Sequence, residues 1–143
     1  MPSKYKQGKY IPKNPKKYIG NKIPMMRSSW EFRFSDFCDN NPNILEWASE
    51  PLRIPYKNLV GKKTTYVPDF IIRYKDNNNK IITELIEIKP KNQSILKEGM
   101  NPKLKATVMN NHLKWEAARR FCKAKGIAFR IVTEDHIFKN GVK

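Results

Sequence analysis

Acidic residues are scarce in this chain, and none occurs in its first 30 positions. Thirteen Asp and Glu face 29 Lys and Arg, a formal charge of +16 over 143 residues. Cysteine is nearly absent too. Cys38 and Cys122 stand alone, with no CxxC pair and no histidine at zinc spacing. That excludes the common structural zinc modules and points to a reducing compartment. The two histidines, His112 and His136, are isolated, which fits helix surfaces better than a ligand or base role. No apolar run approaches the ~20 residues of a membrane helix. The first residues show no apolar core of a secretion signal. Internal repeats are also missing. What remains is one domain's worth of chain, long enough to bury a core without disulfide or metal staples. A hydrophobic content of 39% separates it from disordered sequences.

The basic excess is the strongest positive feature. It implies a polyanionic partner, most often nucleic acid. Its distribution is uneven. Residues 1–27 hold eight basic side chains and no acid, interleaved with Tyr, Pro and Gly. This stretch has neither a helical nor a strand period. Residues 1–26 are therefore expected to form a basic, extended N-terminal arm, ahead of a domain over 27–143. The arm wraps its own domain, a partner or a nucleic-acid backbone, or it is a frayed tail. Tyr5, Tyr10, Tyr18, Ile19 and Met25 argue that part of it packs.

Beyond the arm, helical and extended patterns alternate. Trp30, Phe34, Phe37 and Cys38 make a helical stripe, with Ser28 as N-cap and "NNPN" as the stop. "ILEWASEPLRIPYK" reads as two extended pieces broken at Glu50-Pro51. "TTYVPDFIIRYK" and "KIITELIEIK" read as one strand each, joined by the turn "DNNN". Residues 103–125 form a helix with Leu113, Ala117, Ala118, Phe121 and Cys122 on its apolar side, ended by Gly126. Trp115 belongs beside that stripe, in the core. "IAFRIV" reads as a buried strand, and a last helical turn starts at Thr133. The pattern predicts an α/β or α+β fold, a mixed sheet with helices packed on it.

The stretch "ELIEIKPKNQ" raises a question of register. A symmetric turn at 76–80 pairs Lys75 with Ile81, Arg73 with Thr83, and Ile71 with Leu85. Asp69 then faces Glu87. Like charges directly opposed destabilise a sheet. The other face, with Phe70, Ile72, Tyr74, Ile82, Ile86 and Ile88, is core. Glu84 falls on that other face and is expected to pair with an Arg or Lys. Lys89 shares the side of Glu87, and Pro90 removes the next ladder donor. Two carboxylates so placed need a cation or a shared proton, and their hard oxygens suit Mg²⁺. A surface hairpin with ordinary acid–lysine pairs is the plainer alternative.

Pro68-Asp69 followed by Glu87-Ile88-Lys89 resembles the PD-(D/E)xK nuclease superfamily. "RSSWEFRF", "NPNILEWASEPLRIPY", "YVPDF", "EIKPK" and "KWEAARRFCKAKGIAFRIVTE", in this order, resemble the head-completion nucleases of T-even-type tailed phages. They are also similar to the endonuclease subunits of heteromeric transposases. The likeness spans about residues 8–137. It implies a restriction-endonuclease-like central mixed sheet flanked by helices. It further implies that Asp69, Glu87 and the backbone carbonyl of Ile88 hold Mg²⁺ (or Mn²⁺). Lys89 would position or polarise the attacking water, and Glu31 would complete the acidic cluster. The implied activity is endonucleolytic hydrolysis of double-stranded DNA. The implied setting is phage head completion, with portal or neck proteins as partners and no membrane. The place would be the host-cell cytoplasm during assembly, with retention in the virion head or neck. A structural neck protein that keeps the fold, and a transposase-type or junction-cutting nuclease, are the other readings.

Glu31 has a second reading from spacing alone. Ser28-Ser29-Trp30-Glu31 is a capping box, in which Glu31 reaches back to the Ser28 amide. Gln93 reads as a loop polar residue. Lys91, Lys97, Lys103 and Lys105 follow the motif and are expected, with the 1–26 arm, to contact the DNA backbone. Phosphate contacts of this kind give affinity without sequence readout.

Overall fold

The computed structural model describes residues 8–136. Tyr5 and the rest of 1–7 lie outside the described residues. The arm opens with β1 (Gly8–Lys9), which pairs antiparallel with β2 (Met25–Met26). Between them the chain makes a 3-10 turn at Pro15–Lys17. Tyr10 and Met26 are buried, and Tyr18 bridges to Trp47. The Tyr10 and Tyr18 rings meet the Trp47 ring edge-on, with centroids 5.7 and 4.7 Å away. Such aromatic pairs contribute about 0.5–1.5 kcal/mol each beyond the area they bury. The buried Asp39 carboxylate accepts from the amides of Lys13 and Asn14. Residues 8–26 thus wrap their own domain.

Helix α1 (Ser29–Asn40) begins where predicted, with Ser28 Oγ accepting from the Glu31 amide. It buries Trp30, Phe34 and Cys38 of the expected stripe, with Phe37 half-buried. The central sheet has the order β3 (Ile44–Ser49), β6 (Phe70–Lys75), β7 (Ile81–Ile88), β8 (Ala128–Val132). The first three strands run antiparallel, and β7 and β8 run parallel through the crossover helix α2 (Pro102–Lys125). The fold is the expected mixed α/β arrangement. One sheet face packs Trp47, Phe70, Ile72, Ile86 and Ile88 against α1 and the arm. The other packs Leu85 and Ile71 against Trp115, Ala118 and Cys122 of α2. The two cysteines are free, buried and on opposite faces.

Three expectations need correction. "TTYVPDFIIRYK" is two strands, not one. Pro68 splits it into β5 (Lys63–Tyr66) and β6, because proline withholds a ladder donor. β5 pairs with β4 (Ile54–Lys57) in a separate hairpin that packs against α2. "IAFRIV" forms the sheet edge and is mostly half-buried rather than buried. The final turn starts after Thr133, which caps it.

Candidate active site

The register of the β6–β7 hairpin brings the motif together. Six pairs run from Lys75 opposite Ile81 to Phe70 opposite Ile86, as the symmetric turn predicts. Asp69 sits one residue before the first of these strand residues and Glu87 one residue after their partners. Both lie at the end of the hairpin far from its turn. β7 passes from exposed at Ile81 to buried from Glu84 onward, so this end is the covered one. The Ile88 amide donates to Asp69 Oδ2 at 2.7 Å, and the Glu50 amide donates to the Asp69 carbonyl at 2.9 Å. Asp69 is thereby fixed from both neighbouring strands. Glu50 adopts a positive φ of 45°, a conformation uncommon for a residue other than glycine. Its carboxylate pairs with Arg27 at 3.0 Å.

Glu87 is 4% exposed. Its Oε1 accepts from the Tyr66 hydroxyl at 2.6 Å, and its Oε2 lies 3.4 Å from Lys89 Nζ. Burial raises the Glu87 carboxyl pKa, against the pull of Lys89 and the Tyr66 hydrogen bond. Burial also lifts the Asp69 carboxyl well above the usual range, and the neighbouring Glu87 and Glu31 charges add to it. The bond from Ile88 offsets only part of this. The structure therefore holds two carboxylates together where ionising both is costly.

Glu31 fills the role its spacing suggested. Its Oε1 accepts from the Arg27 amide at 3.1 Å and its Oε2 from Ser28 Oγ at 3.4 Å. The back-bond thus goes to Arg27, one residue before the expected Ser28. Glu31 stays near enough to raise the Asp69 carboxyl, but its oxygens are engaged in capping. Among the described residues no three His, Cys, Asp or Glu side chains gather at metal-holding distance. Asp69 and Glu87 are the two acids that the hairpin end brings together for a cation. Asp69 Oδ1 makes no hydrogen bond among the described residues. A hard cation with oxygen ligands fits that donor set.

Two further residues belong to this place and were missed from sequence. Tyr66, at the base of the β4–β5 hairpin, is 4% exposed and holds Glu87. Lys114 projects from α2 with its Nζ 6.0 Å from the Tyr66 ring centroid. Burial lowers its pKa, and the nearby Lys89 lowers it further. It makes no ion pair among the described residues. A signal existed for it: Asn111, Lys114, Ala118 and Cys122 share one helical stripe, so a lysine falls on the inward side. Tyr66 offered none beyond its nearness to Pro68-Asp69.

The other predicted residues divide. Glu84 pairs with Arg130 at 2.9 Å on the opposite face and stays out of the site. Lys97, Lys103 and Lys105 are exposed without ion pairs among the described residues. Lys91 is paired with Asp135. His112 is exposed and contacts the Ser94 carbonyl, while His136 caps the last turn. Trp115 is core.

A sequence model of the TnsA-like endonuclease N-terminal domain matches residues 41–134. The chain belongs to that family. The match takes in Tyr66, Asp69, Glu87, Lys89 and Lys114, and stops short of the arm and α1. Over 148 aligned positions, this TnsA-like endonuclease is 38% identical to the head completion nuclease of Enterobacteria phage T4. That alignment covers 95% of this chain and 96% of the phage T4 protein.

Proposed function

We propose that this endonuclease is a metal-dependent enzyme that hydrolyses phosphodiester bonds in double-stranded DNA. The observation that carries the reading is the pair of half-buried Asp69 and buried Glu87 with Lys89 beside it. Asp69, Glu87 and the Ile88 carbonyl would hold Mg²⁺ or Mn²⁺. Such an ion supplies Lewis acidity at the scissile phosphate and offsets its charge. The chain's own residues do the remainder. Lys89 orients the attacking water and balances Glu87. Tyr66 holds the Glu87 carboxylate in one rotamer, the task of an outer-shell partner. Lys114 faces the same site without a carboxylate partner and stabilises charge gathering on the phosphate oxygens. Glu31 caps α1 and adds its negative charge to that of Asp69 and Glu87, completing the acidic cluster.

The near full-length likeness to a head completion nuclease supports a phage setting, and the +16 charge supports a polyanionic substrate. In that setting the protein acts on packaged DNA or at the neck during assembly in the host cytoplasm. Portal or neck proteins are its proposed partners. Lys97, Lys103 and Lys105 would line the DNA path. Lys91 joins them only by leaving Asp135.

Nicking of supercoiled plasmid tests this reading. Open circles should form with Mg²⁺ or Mn²⁺ and not in EDTA. Cutting in EDTA would remove the metal from the account, and no cutting in any condition would remove the endonuclease.

A further inference from the structure

The β4–β5 hairpin has an unusual makeup. Residues 51–68 contain Arg53, Lys57, Lys62 and Lys63 and no acid at all. Lys57 and Lys63 are a directly opposed pair. Like charges so placed destabilise a hairpin. Lys57, Lys62 and Lys63 are exposed, and none has an ion pair among the described residues. The turn between them is Asn58-Leu59-Val60-Gly61. The β6–β7 turn of the same molecule is Asp76-Asn77-Asn78-Asn79, the ordinary polar composition. Here Val60 is 85% exposed and Leu59 is 42% exposed.

This tip is held firmly. Asn58 Oδ1 accepts from the Val60 and Lys62 amides at 3.1 and 3.0 Å. The Asn58 and Gly61 amides close the turn, and Gly61 takes the positive φ of 84° that it requires. The Leu59 amide donates to Asn110 Oδ1 of α2 at 3.0 Å, and Asn110 Nδ2 donates to the Tyr56 hydroxyl at 3.3 Å. Between tip and helix lies a groove of about 450 Å³, lined by Asn58, Lys103, Thr107, Asn110 and Lys114. Lys114 lines this groove and its Nζ lies 6.0 Å from the ring of Tyr66, the residue that holds Glu87, so the groove adjoins the active site. The base of the hairpin carries Tyr66, bonded to Glu87.

We infer that this hairpin is a DNA-engaging finger whose lysines grip phosphates beside the cut and whose Leu59–Val60 tip wedges against the bases. Apolar wedges flanked by cations are a known way to unstack a base step and bend a duplex. The unpaired lysines and the acid-free span select a polyanion as the occupant. Adjacency to the active site, through Lys114 and Tyr66, selects the DNA being cut. This deepens the endonuclease reading and rests on it.

The test is binding in EDTA to a short duplex carrying 2-aminopurine, measured over a range of salt. Parent protein should raise the fluorescence as bases unstack. Leu59→Ser/Val60→Ser should lose that rise and bind five- to tenfold more weakly with the salt slope unchanged. Lys57→Ala/Lys62→Ala/Lys63→Ala should lower the log–log salt slope by about 2–3, at roughly 0.9 per phosphate contact. The control Lys75→Ala/Lys80→Ala, at the polar turn, should match the parent. All these side chains are exposed, and unchanged melting temperatures would confirm folding. Parent-like binding, slope and fluorescence in both finger variants would overturn the finger, leaving this surface to another partner. Plasmid nicking by the parent judges the endonuclease separately, since the binding measurements need no cleavage.

Discussion

Asp69 and Glu87 set the balance between stability and function at the level of single residues. Both carboxyls are raised, chiefly by burial. A raised carboxyl binds its proton more tightly in the folded state than in the unfolded one. Its stabilising contribution is complete below the unfolded values near pH 4 and is lost as pH rises through the folded ones. Without metal, the charged pair therefore weakens the protein at neutral pH. Asp69→Asn keeps an acceptor for the Ile88 amide and removes one charge. In EDTA it should melt at a higher temperature than the parent at pH 7.5, and the gap should close as pH falls toward 4. A lower melting temperature for Asp69→Asn at pH 7.5 would contradict the strained pair. Tyr66→Phe removes one hydrogen bond from Glu87. Loss of an outer-shell partner typically reduces activity about 10–100-fold. That loss should appear in single-turnover cleavage while DNA binding in EDTA stays level.

At the scale of elements, caps and edges decide where the site sits. Ser28 caps α1, and Glu31 returns to the Arg27 amide, which fixes where the helix starts. Gly126 ends α2 at φ 72°, its amide bonded to the last turn. Gly126→Ala should lower unfolding free energy by roughly 1–2 kcal/mol in urea titration, the cost of a left-handed residue with a Cβ. An unchanged midpoint would mean the cap is not needed. The arm is the larger case. Tyr10 is 6% exposed, meets the Trp47 ring edge-on and bonds Asp36 at 2.7 Å. Tyr10→Ala should lose about 3 kcal/mol, as for other buried aromatics. The helical stripes, the caps and the hairpin register were legible in sequence because period and turn chemistry are local. The break at Pro68 was less so. A continuous β-rich run hides a proline that moves β5 to another sheet. The places of Tyr66 and Lys114 were illegible for a related reason. Each reaches the site through tertiary packing of separate elements, and no spacing in the chain encodes that approach.

For the whole molecule, the excess of positive charge and the two covered sheet faces act together. The core fixes the hairpin end, and the basic surface draws a polyanion toward it. With +16 in total, one side chain hardly changes bulk attraction to DNA. Chemistry and binding should consequently separate under mutation. The most direct measurement compares plasmid cleavage in Mg²⁺ with DNA binding in EDTA for Asp69→Asn, Glu87→Gln and Lys89→Ala. Glu116→Gln, at an exposed surface ion pair, is the control. The three site variants should bind as well as the parent and cut roughly 100-fold more slowly or worse, the scale expected for a lost transition-state contact. The control should cut normally. Parent-like cutting by Asp69→Asn or Glu87→Gln would contradict the account at its centre.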